Sequence, residues 1–343
     1  MESIIKGDKN LLACKNIMKN RSCRLNLSHI TVQKVNKLLK SLKSSKSTSI
    51  DGLDSFCLKT AADIIDKPLH HIISLSIMQS KFPSSWKLSK VIPLHKKQSK
   101  LEMKNYRPVS ILSPMSKILE KCMYDQMYRY FSQNKLLHPN MHGYRHSRST
   151  QTALLSIYDK WVRAADKGQV SGVIFLDLSA AFDLVEPGIL IDKLRIYGLQ
   201  DDFLSWVESY LTDRKQSVWI DHTLSNFIDT DVGVPQGSNL GPLFFSVYFN
   251  DLLYALDCDT ENYADDTTLS STGVSVRDIS SKLNDNCRVV SNWMKSNLLK
   301  LNAEKTHLLI VGTGERLQSV TENLDVKIEN TNLQEDPRKE ETC

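Results

Sequence analysis

No two cysteines of this sequence stand at C-x-x-C spacing, and Cys14, Cys23, Cys57, Cys122, Cys258, Cys287 and Cys343 are odd in number and scattered. That excludes a zinc knuckle and a disulfide framework, and the set reads as reduced thiols of an intracellular protein, in cytoplasm or nucleus. No apolar stretch reaches membrane-spanning length; the longest, residues 240–256, is interrupted by Asn250 and Asp251. No leader-like segment opens the chain, so no membrane partner is expected. No internal repeat is present, which excludes solenoid and propeller architectures.

What is there is a globular composition, 41% hydrophobic and 24% charged over 343 residues, enough for two or three core-bearing subdomains. The charge is segregated. Residues 1–86 carry a net +8, residues 87–148 a net +10 and residues 149–343 a net −13. A basic first half suits a lobe that grips a polyanion, although solvated lysine-rich helix faces account for part of the excess.

The acidic half contains one stretch, Tyr263-Ala264-Asp265-Asp266, where two carboxylates are adjacent between β-prone runs. Neighbouring strand residues point to opposite faces, so both acids reach one site only if the pair lies at a hairpin turn. Two carboxylates about 4 Å apart repel by roughly 4 kcal/mol at an effective dielectric near 20, so such a pair is either solvated or neutralised by a cation. Mg²⁺ fits, because it takes a few carboxylate oxygens together with substrate phosphates. A third acid is available upstream, where the apolar run Val173-Ile174-Phe175-Leu176 delivers Asp177 to the rim of a sheet. Read singly, Asp177 also fits a helix cap, and Asp265 with Asp266 a polar turn.

The stretches FLDLSAAFD (residues 175–183) and YADD (residues 263–266), with Gly233-Val234-Pro235-Gln236-Gly237-Ser238 between them, resemble the reverse transcriptases of non-LTR (LINE-type, jockey-like) retrotransposons. The likeness runs from about Ser45 to about Gly312. It implies an α/β (α+β) right-hand polymerase fold with fingers and palm, the thumb absent or truncated, acting as an RNA-directed DNA polymerase. By that resemblance Asp177, Asp265 and Asp266, with the backbone carbonyl of Leu178, hold two Mg²⁺ ions, and Mn²⁺ also suits the ligands. Lys305, in Leu299-Lys300-Leu301-Asn302-Ala303-Glu304-Lys305-Thr306, is implied as the acid for the leaving pyrophosphate. Lys96 and Arg107, on a basic hairpin, would bind the dNTP triphosphate, with Gln236 and Gly237 at the base and Phe182 under the sugar as a gate against ribonucleotides. Arg145 and Arg148, in a stretch resembling HGFRxGRST, and Tyr263 would touch nucleic acid, and the partners are an RNA template, a DNA primer and dNTPs. Oligomeric state is left open.

The implied division is a helical lead-in over 1–44, fingers over 45–150, palm over 151–312 and a disordered tail over 313–343. Thr31 is expected to cap a helix bearing Val32, Val35, Leu38, Leu39 and Leu42 at helical spacing. Residues 56–78 read as two helices divided near Pro68, 116–134, 150–166 and 201–214 as further helices, and Val276 to Met294 as a long amphipathic one. His138, His142 and His146 recur every four residues, but Pro139 and Gly143 argue against a helical metal row. Ser49 and Ser147 replace glycines of the family and Asn239 a small aliphatic residue; Ser49 is expected to strain its turn, and Asn239 to cap the helix from Leu240.

Two other readings stay open. The three departures and the missing thumb favour an inactive remnant or a domesticated nucleic-acid-binding protein, whereas the intact acids favour activity. Another cellular reverse transcriptase, such as a group II intron maturase or telomerase, fits the acids, but the LSAAFD and HGYR wording favours the retrotransposon type.

Overall fold

The computed structural model describes residues 11–19, 21–45, 47–96, 99–320, 322–329 and 331–334. Helices α1 (Leu12–Met18), α2 (Val32–Lys40), α3 (Ser55–Thr60) and α4 (Ala62–Met78) precede strands β1 (Leu88–His95) and β2 (Tyr106–Ile111). Next come helices α5 (Pro114–Gln133) and α6 (Thr150–Ala165), strands β3 (Val170–Leu176) and β4 (Leu178–Ser179), and helices α7 (Pro187–Ile196) and α8 (Asp201–Leu211). Strands β5 (Arg214–Ile220), β6 (Thr223–Leu224) and β7 (Ile228–Thr230) lead to helix α9 (Gly241–Ala255) and the hairpin β8 (Asp259–Tyr263) and β9 (Asp266–Gly273). Helix α10 (Val276–Ser296), β10 (Lys300–Leu301), β11 (His307–Val311), α11 (Gly314–Ser319), β12 (Lys327–Ile328) and β13 (Thr331–Asn332) complete the order. The chain divides into two compact units, one of residues 1–16, 137–184 and 246–343, the other of 17–136 and 185–245.

The first unit is built on an antiparallel sheet in the order β11-β3-β9-β8. Strand β3 buries Val170, Val173, Ile174 and Leu176, and α10 lays Ile279, Leu283, Cys287, Val290 and Met294, spaced three and four apart, into the core. Each such side chain, fully removed from water, contributes about 1.5–3 kcal/mol. Gly172 lets helix and strand approach: a Cβ there would lie 2.7 Å from Ile279 Cγ2 and 3.0 Å from Leu283 Cδ1.

The expectation of a disordered tail is corrected over the described residues. Leu324, Val326, Ile328 and Leu333 are buried, and β12 packs on α10. Asn284 of α10 donates from Nδ2 to the Asp325 carbonyl at 2.7 Å and accepts from the Lys327 amide at 2.9 Å. Leu324, Val326 and Ile328 alternate, a strand pattern too short for a core of its own but sufficient to dock on an existing helix. Residues 335–343 lie outside the described residues.

In the second unit the sheet runs β2-β1-β5-β6, with β7 also on β5; β1 and β2 are antiparallel, β1 and β5 parallel. Phe82 meets Trp86, Trp206 and Tyr210 edge-on at 5.0–6.1 Å, and the Trp206 indole N–H donates to Ser76 Oγ at 3.0 Å. Buried aromatics of this size dominate such a core, and the Trp206 N–H finds its partner.

Thr31 caps α2 as expected, accepting from the Lys34 amide. The break expected near Pro68 falls at Ala61 instead: α3 ends there, and Pro68 sits inside α4, where buried Leu69 and Ile73 hold the helix across it. The helix expected to reach Arg214 stops at Leu211, because Arg214 opens β5. Ser49 avoids the left-handed region, since Gly52 takes it with φ +74° and carries the turn.

Ser147 differs from Ser49: its φ is +60°, a region that costs a non-glycine residue about 1–2 kcal/mol. Ser147→Gly is therefore expected to raise the unfolding free energy by about 1 kcal/mol, less the flexibility glycine adds to the unfolded chain. Urea unfolding of the two proteins checks this, and equal or lower stability in the glycine variant would mean that Ser147 holds its turn without strain.

Candidate active site

The first unit gathers the acids. Strand β8 pairs with β9 down to Tyr263 opposite Asp266, leaving Ala264 and Asp265 as a two-residue loop. Ala264 has φ +59°, and Asp265 is not among the residues with positive φ, which is the pattern of a type II′ hairpin turn. The expectation that the acid pair lies at a hairpin tip is met. Strands β3 and β9 pair up to Leu176 opposite Thr267, so the next step of the ladder sets Asp177 across from Asp266. Burial, then the charges of Asp265 and Asp177, raise the Asp266 carboxyl above the ordinary carboxylate range. Among the described residues none of the three acids is in an ion pair.

Side chains and backbone around the acids fix them. Asn262 Nδ2 donates to the carbonyl of Ala264 and to Thr267 Oγ1, both at 2.9 Å, and to the Asp266 carbonyl at 3.3 Å. The Asp177 carbonyl accepts from the Asn302 amide at 2.9 Å, and its own amide reaches Thr306 Oγ1 at 3.5 Å. Lys305 is exposed on the turn between those two partners, so the structure brings its loop to the Asp177 backbone. Leu178 opens β4 and pairs with Leu301. Phe182 is half-buried and meets the Tyr144 ring edge-on at 6.2 Å. Tyr263 is exposed beside the acids.

Arg145 spends Nη1 on its own loop, donating to the carbonyls of His138 at 2.7 Å and Met141 at 3.2 Å. Arg148 is exposed, its amide donating to the Arg145 carbonyl at 3.3 Å. The histidine row dissolves: His142 is buried against Glu261 at 2.8 Å and His138 stacks edge-on with Tyr254 at 4.6 Å. Among the described residues no three His, Cys, Asp or Glu side chains stand ready as a metal cage.

The second unit carries Lys96, Arg107, Gln236 and Gly237. Lys96 follows β1 with its amide on the Asn105 carbonyl at 2.9 Å, and Arg107 lies opposite Leu94 in β2. Alternation puts both exposed cations on one face of the hairpin. The Gln236 carbonyl accepts from the Ser110 amide at 3.0 Å, and a Cβ on Gly237, φ +106°, would lie 2.8 Å from the Ser110 carbonyl oxygen. Only glycine lets this loop lie so close to β2.

Asn239 does not cap α9. Ser238 Oγ does, accepting from the Gly241 amide at 2.9 Å. Asn239 instead gives its amide to Glu120 Oε2 at 2.7 Å and its Nδ2 to the Lys117 carbonyl at 2.8 Å. Glu120 is fully buried on α5, takes a further bond from Ser116 Oγ at 2.9 Å, and burial raises its carboxyl above its usual value. The sequence reading missed Glu120, Glu261 and Asn262; for the last two the signal was present, three polar residues in a row, Thr260-Glu261-Asn262, inside a strand.

The family model for reverse transcriptase (RNA-dependent DNA polymerase) matches residues 94–337. The RNA-directed DNA polymerase from mobile element jockey of Drosophila melanogaster is 28% identical over 291 residues, covering 82% of this chain and 32% of that protein. The probable RNA-directed DNA polymerase from transposon BS of the same species is 28% identical over 276 residues, 74% of this chain and 29% of its own length. The Pol polyprotein from type-1 retrotransposable element R1 of Bradysia coprophila is 25% identical over 268 residues, 76% and 26% respectively. The chain thus spans about a third or less of the length of these relatives. Acids delivered by a strand end and a hairpin tip, a glycine loop laid on a basic hairpin and this likeness over most of the chain agree: the chain belongs to the reverse transcriptase (RNA-dependent DNA polymerase) family, on its non-LTR retrotransposon side.

Proposed function

We propose that the chain is the RNA-directed DNA polymerase domain of a non-LTR retrotransposon, with the first unit as palm and the second as fingers, joining dNTPs to a primer 3′-hydroxyl on an RNA template. The observation that carries the reading is the strand register, which continued by one step sets Asp177 across from Asp266 beside the Asp265 hairpin tip, where burial and then the charges of Asp265 and Asp177 raise Asp266. An all-oxygen donor set of this kind fits Mg²⁺, which keeps water and substrate oxygens in its shell and needs no full protein cage. When bound by Asp177, Asp265, Asp266 and the Leu178 carbonyl, two such ions supply nucleophile activation and neutralisation of the triphosphate.

The chain's own residues do the rest. Lys96 offers a point charge and Arg107 a fork that bonds two oxygens of a triphosphate. Gln236 and Gly237 present the loop to the base pair being formed. Lys305 is the proton donor for the departing pyrophosphate, and Arg148 positions the nucleic-acid backbone without reading its sequence. Phe182, held against Tyr144, closes the space under the sugar.

The test is extension of a DNA primer on an RNA template by the purified chain with dNTPs and Mg²⁺, expected to stop on chelation; binding of the hybrid without extension in Mg²⁺ or Mn²⁺ would overturn the polymerase reading. In the same assay Phe182→Val is expected to raise incorporation of a ribonucleotide against its deoxy form at least about tenfold, by removing the clash with the 2′-hydroxyl. Unchanged discrimination would return Phe182 to the role of a packing residue.

A further inference from the structure

Behind the hairpin that carries Asp265 and Asp266 lies a short segment, residues 140–143, on the open edge of β8. The Asn262 amide donates to the Asn140 carbonyl at 3.0 Å, the His142 amide donates to the Asn262 carbonyl at 2.7 Å, and Met141 bridges Asn262 in parallel. The segment works as one more strand, ending at the turn itself. There Gly143 meets the tip: a Cβ on it would lie 2.3 Å from the Ala264 nitrogen and 3.0 Å from its Cα. Those are backbone atoms that cannot give way.

Side chains lock the same edge. His142 is 2% exposed and Glu261 4% exposed. The His142 Nε2–H donates to Glu261 Oε2 at 2.8 Å, while Nδ1 pairs with Thr152 Oγ1 at 2.9 Å. The other carboxylate oxygen takes Ser156 Oγ at 2.6 Å and Lys160 Nζ at 3.1 Å, and Lys160 also reaches Asp259 at 3.3 Å. Helix α6 is thereby tied to β8 through one carboxylate that takes two donors from the helix and a third from His142.

We propose that His142, Gly143 and Glu261 are positioning residues that set the height and register of the hairpin bearing Asp265 and Asp266. Three features point this way rather than to simple packing or to contact with nucleic acid. Both His142 ring nitrogens are engaged and the ring is buried, so it has no surface to offer a phosphate. A buried charged network is a poor source of stability compared with apolar residues of the same volume, but it admits one geometry. The tip it supports holds Ala264 at φ +59°, a conformation that persists only where its surroundings over-determine it.

This inference rests on the polymerase reading for its kinetic arm only. The experiment compares the parent with Gly143→Ala and Glu261→Gln by two readouts, single-turnover extension with titrated active sites and hydrogen exchange at the amides of residues 263–267. Gly143→Ala is expected to lower the rate per active site about 10²-fold, as a displacement near 1 Å of a catalytic group does, while nucleotide KM and hybrid Kd stay within about twofold. Glu261→Gln, which keeps an acceptor for Ser156 and Lys160, is expected to fall between parent and Gly143→Ala and to speed exchange at the tip. A residue that only stabilised the fold would lower the active fraction and leave the rate per site unchanged, and that outcome overturns the proposal. If the parent extends no primer, the polymerase reading fails, and the exchange data decide the positioning role alone: faster exchange confined to the tip supports it, unchanged exchange overturns it.

Discussion

Asp177→Ala and Asp265→Ala are each expected to lower primer extension by at least about 10²–10³-fold, the typical cost of losing one preorganised electrostatic contact in a transition state. On the proposed role, in which these carboxylates hold both ions, a smaller loss is not expected. The fold is expected to survive, since both acids stand at the ends of elements rather than in the core, and the ladder from Leu176–Thr267 back to Val170–Gly273 does not need them. Removing a charge also relieves the metal-free site. Asp266 titrates above its unfolded value because of burial, Asp265 and Asp177, so at pH 7 ionising it opposes folding; the penalty fades as pH falls through its raised pKa. Without Mg²⁺, the Asp177→Ala protein should therefore melt no lower than the parent at pH 7, with the difference closing in mild acid. With Mg²⁺ the order reverses, because a ligand that binds only the native state adds about 2.7 kcal/mol at a hundredfold excess over Kd. Melting curves with Mg²⁺ and with chelator, alongside single-turnover extension, check both halves; a variant that keeps near-parental extension would sink the assignment.

The second large effect belongs to Glu120. Glu120→Ala is expected to destabilise by about 3 kcal/mol or more, since it strands the Asn239 amide and the Ser116 hydroxyl in a dry site and removes the negative group facing Arg214. Arg214 is itself buried, with Nη1 on the Tyr210 carbonyl at 2.9 Å, and Nη2 has no hydrogen-bond partner among the described residues. Glu120→Gln keeps one acceptor and should cost about 1 kcal/mol. Because Asn239 follows the Gln236-Gly237 loop so closely, the alanine variant should also raise nucleotide KM. Urea unfolding gives the first quantity and steady-state kinetics the second; an alanine variant within about 1 kcal/mol of the parent would show that Glu120 is not the anchor of this loop.

The placement of the acids at a strand end and a hairpin tip was legible because its signals are local: an apolar run ending in Asp177, and paired acids between strand-prone runs that can share a site only at a turn. Glu120 was not, because in a helix read at 3.6 periodicity a lone Glu among Lys117, Lys121 and Asp125 counts as surface. What buries it is Asn239, 119 residues away. Glu261 and Asn262 escaped for a related reason, since alternation assigns neighbours to opposite faces whereas Thr260, Glu261 and Asn262 are all buried in β8. Helix α6, with Ser156 and Lys160 on the Glu261 carboxylate, covers the face that alternation leaves to water, while residues 140–143 close the edge. Ser49 and Ser147, equivalent as departures from a motif, separate only when φ is known.

The docked segment of residues 324–329 and 331–333 has a consequence for where the domain can be cut. It is held by Asn284, Ser280 and the buried Leu324, Val326, Ile328 and Leu333, a small contact set for which local opening is expected to cost less than unfolding of the sheet. Each opening lifts Leu324 away from the junction of Gly172 with Ile279 and Leu283, the contact that seats α10 on the strand ending at Asp177. A protein ended at Gly312, short of the family match that runs to residue 337, would lack the segment altogether, leaving an apolar stripe of α10 exposed to water. Its poor behaviour in solution would then be a fault of the cut and would say nothing about the chemistry of the acids.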